Sequence, residues 1–204
     1  MTDEFFRWFQ FGTLCCWGTL GIGRALMLYA QGVKVLAVDK NRTFRQMIID
    51  SAGGICMLII VYEIVAFGWP LSFHIAPPIL RVELVDALAI KISGAFILFS
   101  ALLIYVLALC GLGRSWRLGI DRIAPGPLMT HGIYGLCRHP IYVTFDLYFA
   151  GTFLTMGNAV FLLFALMMFF FLHVHLLREE RFLTQEYGDC YRNYCAQVKR
   201  YVFW

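Results

Sequence analysis

Between Gly132 and Tyr142 the chain reads G-I-Y-G-L-C-R-H-P-I-Y, and from Arg178 it reads R-E-E-R-F-L-T-Q-E-Y-G-D-C-Y-R-N-Y. The first stretch sets a guanidinium and an imidazole beside a proline. The second sets two carboxylates between two arginines, with tyrosines after them. Cations pair with a carboxylate, acids pair with an ammonium, and aromatic faces accept a positive centre, so the two stretches together would hold a small zwitterion. Any one of these residues taken alone has a plainer use, as an interfacial salt bridge that fixes a helix end. Pro140 suits the first turn of a helix, where its missing N–H costs nothing. It also disfavours the helical region for His139, which places Arg138 and His139 in the loop just ahead of that helix. If the helix carrying Arg178 continues, Glu180, Leu183, Tyr187, Tyr191, Tyr194 and Val198 share one face, with Gly188 a potential break. An amphipathic helix lying on a membrane would show an aliphatic stripe there instead.

These residues need elements to carry them, and the composition says what those elements are. Of 204 residues, 60% are hydrophobic, 17% aromatic and only 15% charged. That is more apolar surface than a water-soluble fold of this size hides, and it predicts an all-α integral membrane protein. Apolar runs at 8–33, 47–69 and 92–113 predict three spans, the first interrupted by Arg24 and the second by Asp50 and Glu63. From Ile141 to Leu177 only Asp146 is charged, and T-M-G-N at 155–158 offers a turn, which predicts a helical hairpin and about five spans in all. A C-terminal helix then follows on the polar side.

Five spans place Lys34, Lys40, Arg42 and Arg45, then Arg114, Arg117, Arg122 and Arg138, then Arg178, Arg181, Arg192, Lys199 and Arg200 on one side, leaving Arg7 and Arg81 on the other. The positive-inside bias predicts an external N-terminus and a cytoplasmic C-terminus. The same flanking charges account for the net charge of +4 as contacts to anionic headgroups, so no nucleic-acid partner is expected. The start, M-T-D-E-F-F-R-W, lacks the pattern of a secretory signal. The 7 cysteines include no C-x-x-C, and His173 and His175 stand two apart on different helix faces with no third ligand, so no metal is expected. Arg24 lies near a span end and can snorkel. Glu63 lies deeper and calls either for a function or for a partner.

The motifs from Leu112 onward resemble the isoprenylcysteine carboxyl methyltransferases and their relatives, the phospholipid N-methyltransferases. The family pattern L-G-x-x-W falls on Leu112, Gly113 and Trp116. The pattern G-x-Y-x-x-x-R-H-P-x-Y falls on Gly132, Tyr134, Arg138, His139, Pro140 and Tyr142. After the hairpin come Glu179, Glu180, Leu183, Tyr187, Gly188, Tyr191, Tyr194, Val198 and Arg200. The resemblance covers 111–204, a methyltransferase-like core, and leaves 1–110 as N-terminal helices without a match. It implies S-adenosylmethionine as cofactor, with Gly132, Tyr134, Arg138, His139, Pro140, Tyr142, Glu179, Glu180 and Tyr187 around it. No G-x-G-x-x-G is present, and this family does not need one.

It also implies a lipophilic acceptor drawn from the bilayer. A carboxylate such as that of an isoprenylcysteine needs no base and would be oriented by Arg178, Arg181 or Arg200. A phospholipid amine needs a base, with Glu179 or Glu180 in that role. Two departures are visible, V-K-R where relatives have V-P-R, and Asp146 in a helix that is apolar in relatives. The ending Y-G-D-C-Y-R-N-Y-C-A-Q-V also resembles NADPH-dependent sterol reductases, and a non-catalytic membrane scaffold is a third reading.

Overall fold

The computed structural model describes residues 2–33, 35, 43–69, 71, 73–116 and 126–201. Lys34, Lys40, Arg42, Arg117 and Arg122 lie outside them. Among the described residues the chain is all-helical, with no strand beyond an isolated bridge between Glu83 and Asn158. Its helices are α1 (Thr2–Ala30), α2 (Phe44–Gly68), α3 (Leu88–Leu112), α4 (Pro140–Met156) and α5 (Ala159–Gln197). Four of these, α1, α2, α3 and α5, are long and apolar enough to cross a membrane. At 17 residues α4 is the short one, about 26 Å long, so the expected five crossings stand at four by length. Large apolar side chains such as Phe96, Phe99, Leu58 and Phe170 are more than 60% exposed, as a lipid-facing surface requires. The chain is a multi-pass membrane protein.

Local chemistry sets the helix ends. Thr43 and Gln46 close a reciprocal capping box on α2, the Thr43 side chain accepting from the Gln46 N–H at 3.3 Å and the Gln46 side chain accepting from the Thr43 N–H at 2.8 Å. Pro140 opens α4, and Gly157, at φ 72°, closes it in the left-handed region. Asn158 then caps α5 by accepting from the Phe161 N–H at 3.2 Å. The hairpin therefore turns at Gly157 and Asn158, inside the predicted T-M-G-N. Its tip is held by the segment before α3: the Leu84 and Val85 N–H groups donate to the Gly157 carbonyl at 2.7 and 3.0 Å.

Small residues let the helices approach. A Cβ on Gly94 of α3 would lie 2.8 Å from Leu154 of α4, and one on Gly151 of α4 would lie 2.8 Å from Leu98. Deep between α1 and α4, the buried Gln10 amide donates to Tyr148 Oη at 3.1 Å and to Thr152 Oγ1 at 2.9 Å. Polar groups that would be costly in hydrocarbon are thereby spent on each other.

Contacts also sort the helix ends. At one end Lys91 bridges Asp3 and Asp86, and Glu63 accepts from the Ala76 N–H at 2.7 Å and faces His74 Nδ1 at 2.9 Å. Glu63 thus has partners, in the segment that follows its own helix. At the other end Arg24 donates to the Gly113 carbonyl at 2.6 Å, so it ties α1 to the end of α3 where sequence reading has it snorkelling. Asp50 of α2 meets Arg178 of α5 at the same end. Up to its break at Gly188 α5 runs about 44 Å, against a hydrocarbon core of about 30 Å, so its later part extends past an apolar layer at this basic end.

Candidate functional site

Three pieces of chain converge on Glu180. The first is the loop before α4. Gly132, at φ 62°, starts a 3₁₀ turn (Gly132–Gly135) that buries Tyr134 against the end of α3. Gly111 of α3 leaves room for that ring, since a Cβ there would stand 3.1 Å from it. The second piece is α5. The third is a short strap after α5, residues 198–201, which folds back across the loop. Arg138 N–H donates to the Lys199 carbonyl at 3.0 Å, and Cys137 Sγ–H donates to the Arg200 carbonyl at 3.2 Å.

Glu180 is where these pieces are joined by charge. Its Oε1 lies 3.1 Å from Arg138 Nη2 and 3.3 Å from His139 Nε2. Arg200 approaches fork-on, with Nε 3.1 Å from Oε1 and Nη2 2.7 Å from Oε2. The ion pair holds the Arg200 guanidinium above its ordinary range, outweighing the desolvation that opposes it. His139 is 4% exposed and meets the ring of Tyr142 edge-on at 5.7 Å. The Tyr142 hydroxyl is in hydrogen-bond reach of Glu179. So Arg138, His139, Tyr142, Glu179, Glu180 and Arg200 form one cluster at the mouth of the hairpin, with Pro140 as the helix start that holds it.

The tyrosines after Glu180 face inward although Gly188, at φ 52°, breaks the helix between them. Tyr187 donates to the Gly126 carbonyl at 2.6 Å, and Tyr194 donates to the Tyr134 carbonyl at 2.5 Å. They clamp the loop from behind. Burial, reinforced by the Glu179 charge, pushes the Tyr134 hydroxyl far above the usual phenol range. Burial likewise raises the Cys137 thiol.

Two of the arginines expected to orient an acceptor lie elsewhere. Arg178 is 2.8 Å from Asp50 Oδ1 on α2, where His175 Nε2 also approaches at 3.1 Å. Arg181 is exposed. Sequence reading noticed Asp50 as a charge in an apolar run without assigning it a partner. It also missed Tyr201, at the end of the strap, whose hydroxyl lies 3.1 Å from His173 Nδ1 of α5. Inside the hairpin, one turn past Tyr142, Asp146 has a buried Oδ1 with no hydrogen-bond partner. Arg138 Nε is buried and unpartnered as well, although its Nη2 is engaged. A mouth that holds two arginines and a histidine around one carboxylate, with a spare Arg138 N–H donor, can take an anionic group.

The sequence pattern of the family described as Phospholipid methyltransferase matches residues 89–190. The chain belongs to this family. The matched stretch begins at the head of α3, so it takes in a helix ahead of Gly111, and it includes Arg138, His139, Glu179 and Glu180. Protein-S-isoprenylcysteine O-methyltransferase of Schizosaccharomyces pombe is 40% identical over 72 residues, 35% of this chain and 30% of that protein. Probable protein-S-isoprenylcysteine O-methyltransferases of Oryza sativa, subspecies indica and japonica, are each 28% identical over 145 residues, 70% of this chain and 76% of theirs. The match thus spans less than a third of the fission-yeast protein and about three quarters of the rice ones.

Proposed function

We propose that this chain is an S-adenosylmethionine-dependent methyltransferase that modifies a lipophilic acceptor, a carboxylate of the isoprenylcysteine kind. It would sit with its N-terminus outside and its basic face in the cytoplasm. The observation that carries the reading is the Glu180 junction, where loop, helix and strap meet in a cluster rich in both charge signs at the membrane interface. Arg138 and Arg200 would hold the cofactor's carboxylate. Glu179 and Glu180, with the ring of Tyr142, would face its cationic groups. When bound, the cofactor supplies a methyl carbon already activated by a sulfonium.

What remains for the protein is alignment and the exclusion of water, and close orientation alone is worth several kcal/mol, up to about 7–11 in well-oriented systems. The strap contributes to both, since it lies over the loop that presents Arg138 and His139. A carboxylate acceptor needs no proton removed. The acceptors named for the relatives are what favour this class over the reductase and scaffold readings. A lipid amine is the second reading, and the unpartnered Asp146 is the observation that favours it. An amine would need a carboxylate to take its proton, whereas Arg178 and Arg200 are already engaged by acids.

The test is transfer of labelled methyl from S-adenosylmethionine, by detergent-purified protein, to N-acetyl-S-farnesylcysteine and to phosphatidylethanolamine. Transfer to the farnesylcysteine supports the carboxylate reading, and transfer to the amine alone overturns it. No binding of S-adenosylmethionine at all would remove the methyltransferase assignment.

A further inference from the structure

The end of the bundle opposite the Glu180 cluster has a polar pocket of its own, about 50 Å³ in volume. Its walls come from Asp3 and Arg7 at the start of α1, Arg81 in the 3₁₀ turn before α3, Glu83 just after that turn, and Lys91 of α3. Its floor is the hairpin tip, Thr155 and Asn158, both 2% exposed. Lys91 is already committed, to Asp3 at 2.5 Å and to Asp86 at 2.6 Å. Among the described residues no carboxylate pairs with Arg7 or Arg81, and Arg81 Nε is buried without a partner. Glu83, exposed on the rim, has no basic partner either. Asn158 spends its Oδ1 on the α5 cap, so what it has left to offer is its amide N–H pair. A guanidinium N–H withdrawn from water and left unmatched is costly, and a ligand that accepts from it removes that cost.

We propose that this pocket holds the headgroup of a zwitterionic phospholipid, with its phosphate at Arg7 and Arg81 and its ammonium at Glu83. It is a resident lipid, bound at the opposite end from the Glu180 cluster whichever acceptor that cluster serves. Three features select it. A single buried water needs about 10–15 Å³ of such space, so the pocket admits a group of a few heavy atoms, a phosphate rather than a nucleotide or an acyl chain. The charges come next. With Asp86 behind Lys91, three cations meet three acids, so the pocket exerts no net pull on a dianion. What it presents is two unpaired guanidiniums, which suit phosphate oxygens, and one unpaired carboxylate, which suits an ammonium. A neutral ligand carrying both signs answers both. Last, the residues beside the lining ones, Trp8, Val82, Leu84 and Leu88, are apolar and about half exposed. The pocket therefore opens among side chains suited to lipid and its interface, which favours a lipid phosphodiester over a dissolved phosphate. Such a headgroup would join the start of α1, the segment before α3 and the hairpin tip.

The test is a thermal melt of the full chain in dodecyl maltoside, without S-adenosylmethionine, as phosphatidylcholine is added. That lipid is the probe because its amine is already fully methylated and cannot act as an acceptor. It should raise the melting temperature of the wild type. In Arg81→Gln the lipid fraction at half-effect should rise at least ~10-fold, the scale of one lost charge-assisted hydrogen bond. Arg81 has no protein partner to lose, and Arg7→Gln, at an exposed position, should weaken the effect likewise and carries the test if Arg81→Gln does not fold. Arg192→Gln, at the other end, should respond as the wild type does. Phosphatidylglycerol, a phosphodiester without an ammonium, should act more weakly than phosphatidylcholine, and Glu83→Gln should close that gap. An equal shift in Arg81→Gln and wild type, or an equal shift from diacylglycerol, overturns the site. A full shift from inorganic phosphate alone overturns the lipid as its occupant.

Discussion

Glu180→Gln removes one charge and almost no volume, so it isolates what the carboxylate does for Arg138, His139 and Arg200. Its side chain is 13% exposed, and Arg138's is 12%, so that pair is largely withdrawn from water. The Arg200 pair is partly screened, because Arg200 is 36% exposed, and it should contribute at the low end, about 0.5–1 kcal/mol. A charge-assisted hydrogen bond in the shielded part is worth about 1.5–3 kcal/mol, and the contacts to one carboxylate do not add. A total loss of about 2–3 kcal/mol follows for the organised mouth, or roughly 30- to 150-fold in affinity for a ligand that requires it. Isothermal titration of S-adenosylmethionine against wild type and Glu180→Gln measures this directly, and a thermal melt of the same samples controls for unfolding. Arg178→Ala is the internal contrast. It breaks the link to Asp50 on α2 and should lower the melting temperature while leaving cofactor affinity within about twofold. If Glu180→Gln binds normally and only melts earlier, the junction is a structural brace and the cofactor lies elsewhere. If Arg178→Ala loses binding as strongly, the split between a working cluster and an α2–α5 tie is mistaken.

Four further outcomes are expected. Methyl transfer to a carboxylate acceptor should stay nearly flat from about pH 6 to 8, because an ordinary carboxylate titrates near 4, whereas an amine acceptor should give a rate that climbs across that window in the same radiolabel assay. Asp146→Asn should leave S-adenosylmethionine affinity and farnesylcysteine methylation within about threefold; a loss confined to an amine acceptor would establish the second reading. Cys137, buried and with its thiol raised by that burial, should resist iodoacetamide at pH 8 until the protein is denatured, while exposed Cys190 reacts at once, as peptide mass mapping would show. Single cysteines placed at Arg45 and at Glu83 in a cysteine-free chain should be labelled from the cytoplasmic and the external side respectively, and labelling of both from one side would end the proposed orientation.

The elements whose cause is local were legible in the sequence. Gly157 and Asn158 turn the hairpin because one tolerates positive φ and the other caps a helix, both properties of the residues themselves. Pro140 marks the start of α4 for the same kind of reason. The pairing of R-H-P with R-E-E-R followed from the hairpin, since two antiparallel helices joined by a tight turn must bring their far ends together. What could not be read was any partner chosen by packing between distant segments. Asp50 and Arg178 stand 128 positions apart, and nothing in either neighbourhood says they will meet. Once they do, Arg178 is drawn to the α2 side of α5 while Glu180, two residues on, faces α4 and the strap. An R-E-E-R tetrapeptide on a helix points its residues about 100° apart in succession, so the four cannot all serve one pocket. Arg24 shows the same limit: its place near a span end allows snorkelling, while its partner there, the Gly113 carbonyl, is supplied by the packing of α1 on α3.

That division of labour assigns the N-terminal helices a purpose. The α4–α5 hairpin brings the ionic cluster together through its own turn, yet it has one apolar flank on α4 that nothing in the hairpin covers. Helix α1 lies along that flank, held by Gln10 to Tyr148 and Thr152 at depth and by Arg24 to Gly113 at the interface. Between those two ties lies Gly21, where an added Cβ would stand 3.1 Å from the Tyr105 hydroxyl, so α1 and α3 approach closely there. An amide at depth, a guanidinium at one end and a glycine approach between them hold α1 against α3 and α4, so the hairpin's first helix is fixed by segments outside the hairpin.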